Sequence, residues 1–142
     1  MNQNKSETLL DSSALIALFV ENDTFHNTVK ETFSKITHST LLFSVFEEVI
    51  AVLHHRVNPT KAREVSAVLL NNQLITIATI TNQHTQEINE LWQTLPDDID
   101  FVDASLLWAQ KKYNLPIITF DTLLNSLQKK PTNSTDSPYL TQ

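Results

Sequence analysis

Four acidic residues stand where a carboxylate is costly or where two structural elements meet. Asp11 interrupts the apolar run Thr8-Leu-Leu-Asp-Ser-Ser-Ala-Leu-Ile-Ala-Leu-Phe-Val20, Glu48 lies within Ser44-Val-Phe-Glu-Glu-Val-Ile-Ala-Val-Leu53, Asp103 ends Asp100-Phe-Val-Asp103, and Asp121 closes Ile117-Ile-Thr-Phe-Asp121. An ionised Asp inside an apolar segment pays for desolvation unless it is paired, hydrogen-bonded, metal-bound or placed where the segment breaks. For Asp11 the plain alternative is a helix cap, because Ser12 and Ser13 follow it and short polar residues favour that position. Four carboxylates from four separated segments become costly when folding gathers them, unless a cation neutralises them. Hard divalent metals with oxygen ligands do this.

The elements that would gather them follow from the apolar pattern. Short β-type runs are expected at 8–10, 40–43, 74–80 and 116–120, and helices at 14–19, 27–36, 44–56, 59–70, 83–95 and 100–113. Ser44 is expected to cap the third helix, Asn58 before Pro59 the fourth, and Asp100 the sixth. The order β-α-α-β-α-α-β-α-α-β-α implies a parallel sheet with helices on both faces. Asp11 and Asp121 then sit at the carboxyl ends of two parallel strands, on the edge where open α/β sheets bind ligands. Glu48 and Asp103 lie near helix starts that face the same edge.

Composition bounds the reading. A chain of 142 residues suits one domain with its own core, and 41% hydrophobic against 18% charged residues reads as globular. There is no Cys, so neither disulfides nor thiolate chemistry is available, and there is no Gly, which removes the phosphate-cradling loops built on it. Left-handed turn positions must fall to Asn, with Asn71-Asn72 and Asn114 as the expected sites. A formal charge of −6 argues against holding nucleic acid by a general basic field, though not against reaching phosphates through bound cations. The chain shows neither a membrane-length apolar run nor a signal-peptide core, so a cytoplasmic location is expected. Residues 129–142, polar and Pro-containing, are expected to form a mobile tail beyond a domain at 1–128.

In order and spacing, "LLDSSALIALF", "EEVIAVLHHR" and "DFVDASLLWAQKKYNLPIITFD" resemble the PIN-domain family, most of all its compact VapC-type ribonuclease toxins. The resemblance covers about residues 7–127. It implies a three-layer α/β/α domain with a central, mostly parallel sheet of four or five strands. It also implies that Asp11, Glu48, Asp103 and Asp121 are the catalytic and metal-binding quartet, with Ser13 and Thr119 as accessory hydroxyls. Glu48 is preferred over Glu47 because an apolar residue follows it directly and the helix ends in basic residues, as in the family. The implied cofactor is Mg²⁺ or Mn²⁺, and the implied reaction is RNA hydrolysis by metal-activated water. The implied partners are an RNA substrate, a cognate antitoxin and a second copy of the chain.

Other residues carry weaker signals. Arg56, Lys61 and Arg63, with His54 and His55, form the main basic cluster and are assigned to guiding substrate; the two histidines also suit a helix C-terminus. His26 reads as a structural hydrogen-bonding residue at a helix start, Trp92 and Trp108 as core or dimer contacts, and Asp97-Asp98 as a solvated loop. A non-catalytic PIN-fold binding module is the alternative function. An acid-edged phosphatase or receiver domain ranks last, since Asp11-Ser-Ser13 lacks the second Asp of the phosphatase motif and no Lys stands at Asp121.

Overall fold

The computed structural model describes residues 7–128. The proposed tail at 129–142 lies outside them. The described residues form β1 (Glu7–Leu10), α1 (Ser12–Phe19), α2 (His26–Phe33), β2 (His38–Leu42), α3 (Phe43–Arg56), α4 (Pro59–Asn71), β3 (Ile75–Ala78), α5 (Asn82–Trp92), α6 (Phe101–Tyr113), β4 (Ile117–Ile118) and α7 (Thr122–Leu127). This is the expected order of strands and helices.

The four strands make one sheet in the order β3-β2-β1-β4, and every pairing is parallel. Leu9 of β1 stands opposite Thr40 of β2 and Ile117 of β4. Successive strand residues point to opposite faces, yet Thr8, Leu9 and Leu10 are all buried, so both faces of β1 are covered. Helices therefore flank the sheet on two sides. The core runs from Leu9, Leu10 and Leu41 through Val45, Val49 and Leu53 of α3 to Leu106, Trp108 and Ala109 of α6. Full burial of a Leu or Val side chain stabilises by about 1.5–3 kcal/mol, so α3 and α6 are anchored chiefly by these contacts.

Several ends differ from the sequence expectation, each for a local reason. Ser44 does not cap α3: the N-cap is Leu42, without a side-chain bond, and Ser44 Oγ is buried with no partner among the described residues. β4 keeps only Ile117 and Ile118, because Thr119 and Phe120 turn away, the Thr119 hydroxyl to Asp11 and the Phe120 N–H to Ser13. A fifth strand does not form among the described residues. Instead the Gln128 amide lies along β4, its Oε1 accepting from Ile117 N at 2.8 Å and its Nε2 donating to Ile117 O at 3.1 Å, as a neighbouring strand would. Of the expected left-handed asparagines only Asn114, after α6, adopts positive φ, at 61°. Asn71 closes α4 with Nδ2 bonded to Ala67 O, and Asn72 is extended, its Oδ1 accepting from Leu74 N. Asn58 caps α4 as expected, accepting from Lys61 N at 2.7 Å.

Candidate active site at the carboxyl edge of the sheet

β1 delivers Asp11 to the carboxyl edge, and its side chain does not cap α1. Asp11 is only 4% exposed. Its Oδ2 accepts the Ser13 hydroxyl at 2.9 Å and the Thr119 hydroxyl at 2.6 Å. Each hydroxyl in turn accepts a backbone N–H, Ser13 from Phe120 at 2.9 Å and Thr119 from Asp121 at 3.0 Å. Both hydroxyl protons are committed to Asp11, so the 3.2 Å approach of Ser13 Oγ to Thr119 Oγ1 is a contact rather than a further bond. The result is a converging chain of donors, each polarised toward one oxygen of a buried carboxylate. It also ties the start of α1 to the segment after β4, across the parallel pairing of β1 with β4.

The other acids come from helix starts around this point. Asp100 is the N-cap of α6 and accepts from Asp103 N at 2.8 Å, while the Asp103 carboxylate accepts from Asp100 N at 3.4 Å. This reciprocal box satisfies two donors at the helix N-terminus and puts two carboxylates on one turn. Burial pushes the Asp103 carboxyl up to about 7, with repulsion from Asp100 and Asp11 adding to it, the Asp100 N–H opposing it, and Asp121 adding a little more. Glu48, half-buried in α3, is also raised, first by burial; a hydrogen bond from Ser12 pulls the other way, and Asp100 and Asp11 repel it. Its neighbour Glu47 is exposed. Asp121 is exposed and caps α7, accepting from Leu124 N at 2.9 Å.

The fold thus brings Asp11 within electrostatic reach of both Glu48 and Asp103, places Asp121 within reach of Asp103, and adds Asp100, which acts on both Glu48 and Asp103. On sequence alone that fifth acid is identified only as a cap. The spacing of a capping box, which sets its two side chains on the same helical turn, was the signal for it. Among the described residues no three His, Asp or Glu side chains converge closely enough to hold an ion as they stand. The donor set nevertheless has the character of a hard-cation site: carboxylate oxygens only, two of them raised, first by burial and then by neighbouring acids.

The basic cluster is elsewhere. α3 runs away from the edge, so Arg56 lies about 12 Å along the helix axis from Glu48, at 1.5 Å per residue. Arg56 and Lys61 line an open groove of about 1250 Å³ between α1, α2, α3 and α4, whose lining includes Phe19, Phe33, Leu53 and Val68. Arg63 is exposed outside it. His26 begins α2 and its Nδ1–H donates to Ala17 O at 2.8 Å, a structural bond between α1 and α2. Trp108 is buried with Nε1–H bonded to Glu87 at 3.0 Å, and Trp92, partly exposed, donates to Ile99 O at 2.8 Å. No helix among the described residues is long and apolar enough to cross a membrane.

Comparison with solved structures finds the same fold. VapC20 of Mycobacterium tuberculosis, a toxin that cleaves the sarcin-ricin loop, superposes with a TM-score of 0.76 at 22% identity, over 85% of this chain and 94% of that one. A toxin–antitoxin complex from Klebsiella pneumoniae gives 0.59 at 18% identity, over 81% and 87%. No curated protein matches the sequence. The PIN domain family model matches residues 8–130, a span that holds every acid of the carboxyl edge. With its parallel sheet ordered β3-β2-β1-β4, the chain belongs to the PIN domain family.

Proposed function

We propose that this chain is a metal-dependent endoribonuclease, the toxin of a type II toxin–antitoxin pair. The observation that carries the reading is Asp11: a buried carboxylate oriented by two hydroxyls and two backbone amides and surrounded by other carboxylates. A carboxylate that only capped α1 would need none of this. In this reading Asp11 and Asp121 hold the ion directly, Glu48 and Asp103 hold it directly or through water, and Ser13 and Thr119 fix the Asp11 rotamer. The chemistry that bound Mg²⁺ or Mn²⁺ supplies is activation of water and neutralisation of charge on the departing oxygen of an RNA phosphodiester. Asp103, raised to about 7, is placed to give up its proton as the site fills. No Cys exists to act as an alternative nucleophile.

The toxin reading draws on the likeness to VapC20 and to the toxin–antitoxin complex. The groove beside α1 suits an amphipathic antitoxin segment, since apolar side chains line it together with Glu21, Lys30, Arg56 and Lys61. RNA that reaches Arg56, Lys61 and Arg63 must extend from the acidic edge along α3. A homodimer belongs to the same reading, and sedimentation at micromolar concentration would measure it. A second reading, a PIN module that binds without turnover, draws on the carboxylates that do not converge.

One experiment separates the two. Purified protein is incubated with structured and single-stranded RNA in Mg²⁺, Mn²⁺ or EDTA, alongside Asp11→Asn. Cleavage that requires the metal and is lost in the variant is the expected result. Cleavage undiminished in chelator would overturn the metal-dependent reading, and absence of cleavage with retained RNA binding would favour the module.

A further inference from the structure

The segment that supplies Thr119 and Asp121 also carries an aromatic ring. Phe120 lies against Phe25, which leads into α2, with ring centroids 4.5 Å apart and planes only 3° from parallel. Phe120 is partly buried and backed by the small cluster of Ala14, Ala17 and Val29, and its N–H bonds the same Ser13 hydroxyl that serves Asp11. Phe25 is the outer ring, 42% exposed. Its backbone is held on both sides, the N–H donating to Asp23 Oδ1 at 2.8 Å and the carbonyl accepting from Val29 N at 2.9 Å. A lone exposed Phe on a surface needs no explanation. Two parallel rings, one of them next in the chain to Thr119 and Asp121 and the other held at its backbone, form a platform that adjoins the acidic edge.

Electrostatics says what such a platform is for. The charges acting on Glu48 and Asp103 are carboxylates, and Arg56 lies along α3 about 12 Å from Glu48. A chain of formal charge −6 has no general attraction for a polyanion. Beyond the bound cation and the distant basic cluster, a nucleotide at the edge gains most from a contact that is indifferent to charge. Base stacking on an aromatic ring is such a contact, and every base has a face to offer.

We infer that the Phe25–Phe120 stack receives the nucleobase next to the scissile phosphate, with single-stranded RNA as its ligand and Phe25 as the residue that sets base preference. The inference rests on the nuclease reading for the identity of the ligand. Purines, with the larger ring face, should be preferred at that one position. Phe25 is a specificity residue in this scheme and takes no part in activating water or holding the ion.

The test uses the full chain carrying Asp11→Asn, which prevents turnover, and short single-stranded RNA with 2-aminopurine scanned through its positions. Quenching of the probe at one position is expected, together with its loss on adding Phe25→Leu and its recovery with Phe25→Trp. A cleavage arm with Asp11 intact, in Mn²⁺, compares wild type and Phe25→Leu over oligonucleotides that differ at that position. KM is expected to rise by about five- to 150-fold, the range of one base–aromatic stack, and the purine preference to flatten. RNA bound with equal quenching in Phe25→Leu, or a cleavage pattern and KM unchanged by it, would overturn the inference, as would failure of the protein to bind RNA at all. Quenching that depends on Phe25 without any cleavage by wild type would leave the platform standing and refute the nuclease reading.

Discussion

Asp11 and Glu47 mark the two extremes of a carboxylate's surroundings in this chain. Asp11→Asn keeps the volume and one acceptor but removes the charge on which both hydroxyl protons converge, so cleavage and toxicity on expression should fall by orders of magnitude while the fold is retained. Exposed Glu47→Gln should be nearly silent. Parallel turnover assays check the pair, and the reverse ordering would show that the acid of α3 had been misassigned. Thr119→Val removes a 2.6 Å bond to a buried carboxylate and strands the Asp121 N–H, at a cost of about 1–3 kcal/mol in stability by denaturant unfolding. Asp103 predicts the pH response of metal-free protein. Its folded-state value of about 7 stands above the ordinary 3.8, so between those values the folded chain binds more protons than the unfolded chain. Stability in EDTA should therefore be highest at the acidic side of that window, decline as pH rises toward 7, and level off above it. Glu48, also raised, adds to the same slope. Melting temperatures from pH 5 to 7.5 test it, and Asp103→Asn should flatten the curve; a rise with pH in wild type would contradict the burial and crowding of these acids.

Elements were legible where their signals are local and strong. Alternation of β-type runs with helical periodicity sufficed for the order of strands and helices, and Asn58-Pro59 and Asp100 named real caps. Ser44 misled because a buried core residue, Leu42, took the cap position once β2 had to run straight into α3. β4 was overestimated because an apolar run reads as a strand whether or not it pairs, and only the tertiary bonds of Thr119 to Asp11 and of Phe120 to Ser13 show where it stops. The four acids were legible as residues, since a carboxylate at a strand end or helix start is conspicuous. Ser13 and Thr119 were legible only through the family resemblance, and that both hydroxyls donate to one Asp11 oxygen was not, because they are 106 residues apart. Asn114 offers a test at this scale. It holds φ of 61° and its Nδ2 is buried without a partner among the described residues. Asn114→Gly should be neutral or mildly stabilising, while Asn114→Ala should cost about 1–2 kcal/mol for the left-handed conformation. Thermal unfolding of the two variants distinguishes a backbone role from one carried by the amide.

Across the whole molecule, α1 joins the two features that a regulating partner could use. Its first turn carries Ser12 and Ser13 at the acidic edge, and Ile16, Leu18 and Phe19 toward its other end line the groove. Eight residues of helix span about 12 Å, a distance that about four residues of extended chain cover. An antitoxin whose amphipathic helix occupies the groove can therefore place a side chain among the carboxylates within about four residues of that helix's end. Arginine suits the position, because its planar guanidinium donates paired hydrogen bonds to carboxylates and stays charged when desolvated. It would replace the cation and so block both metal and RNA with one residue. Two variants separate the anchors. Val68→Glu, a change on the groove wall at an exposed position, should weaken peptide affinity by tenfold or more and leave RNA cleavage intact. Asp103→Asn with Asp121→Asn should weaken both. Calorimetric titration with the antitoxin's C-terminal peptide measures this, and replacing the peptide's Arg by Ala should then cost affinity against wild type and almost nothing against the double variant. Equal losses against both proteins would mean that the arginine does not enter the acidic edge and that inhibition works from the groove alone.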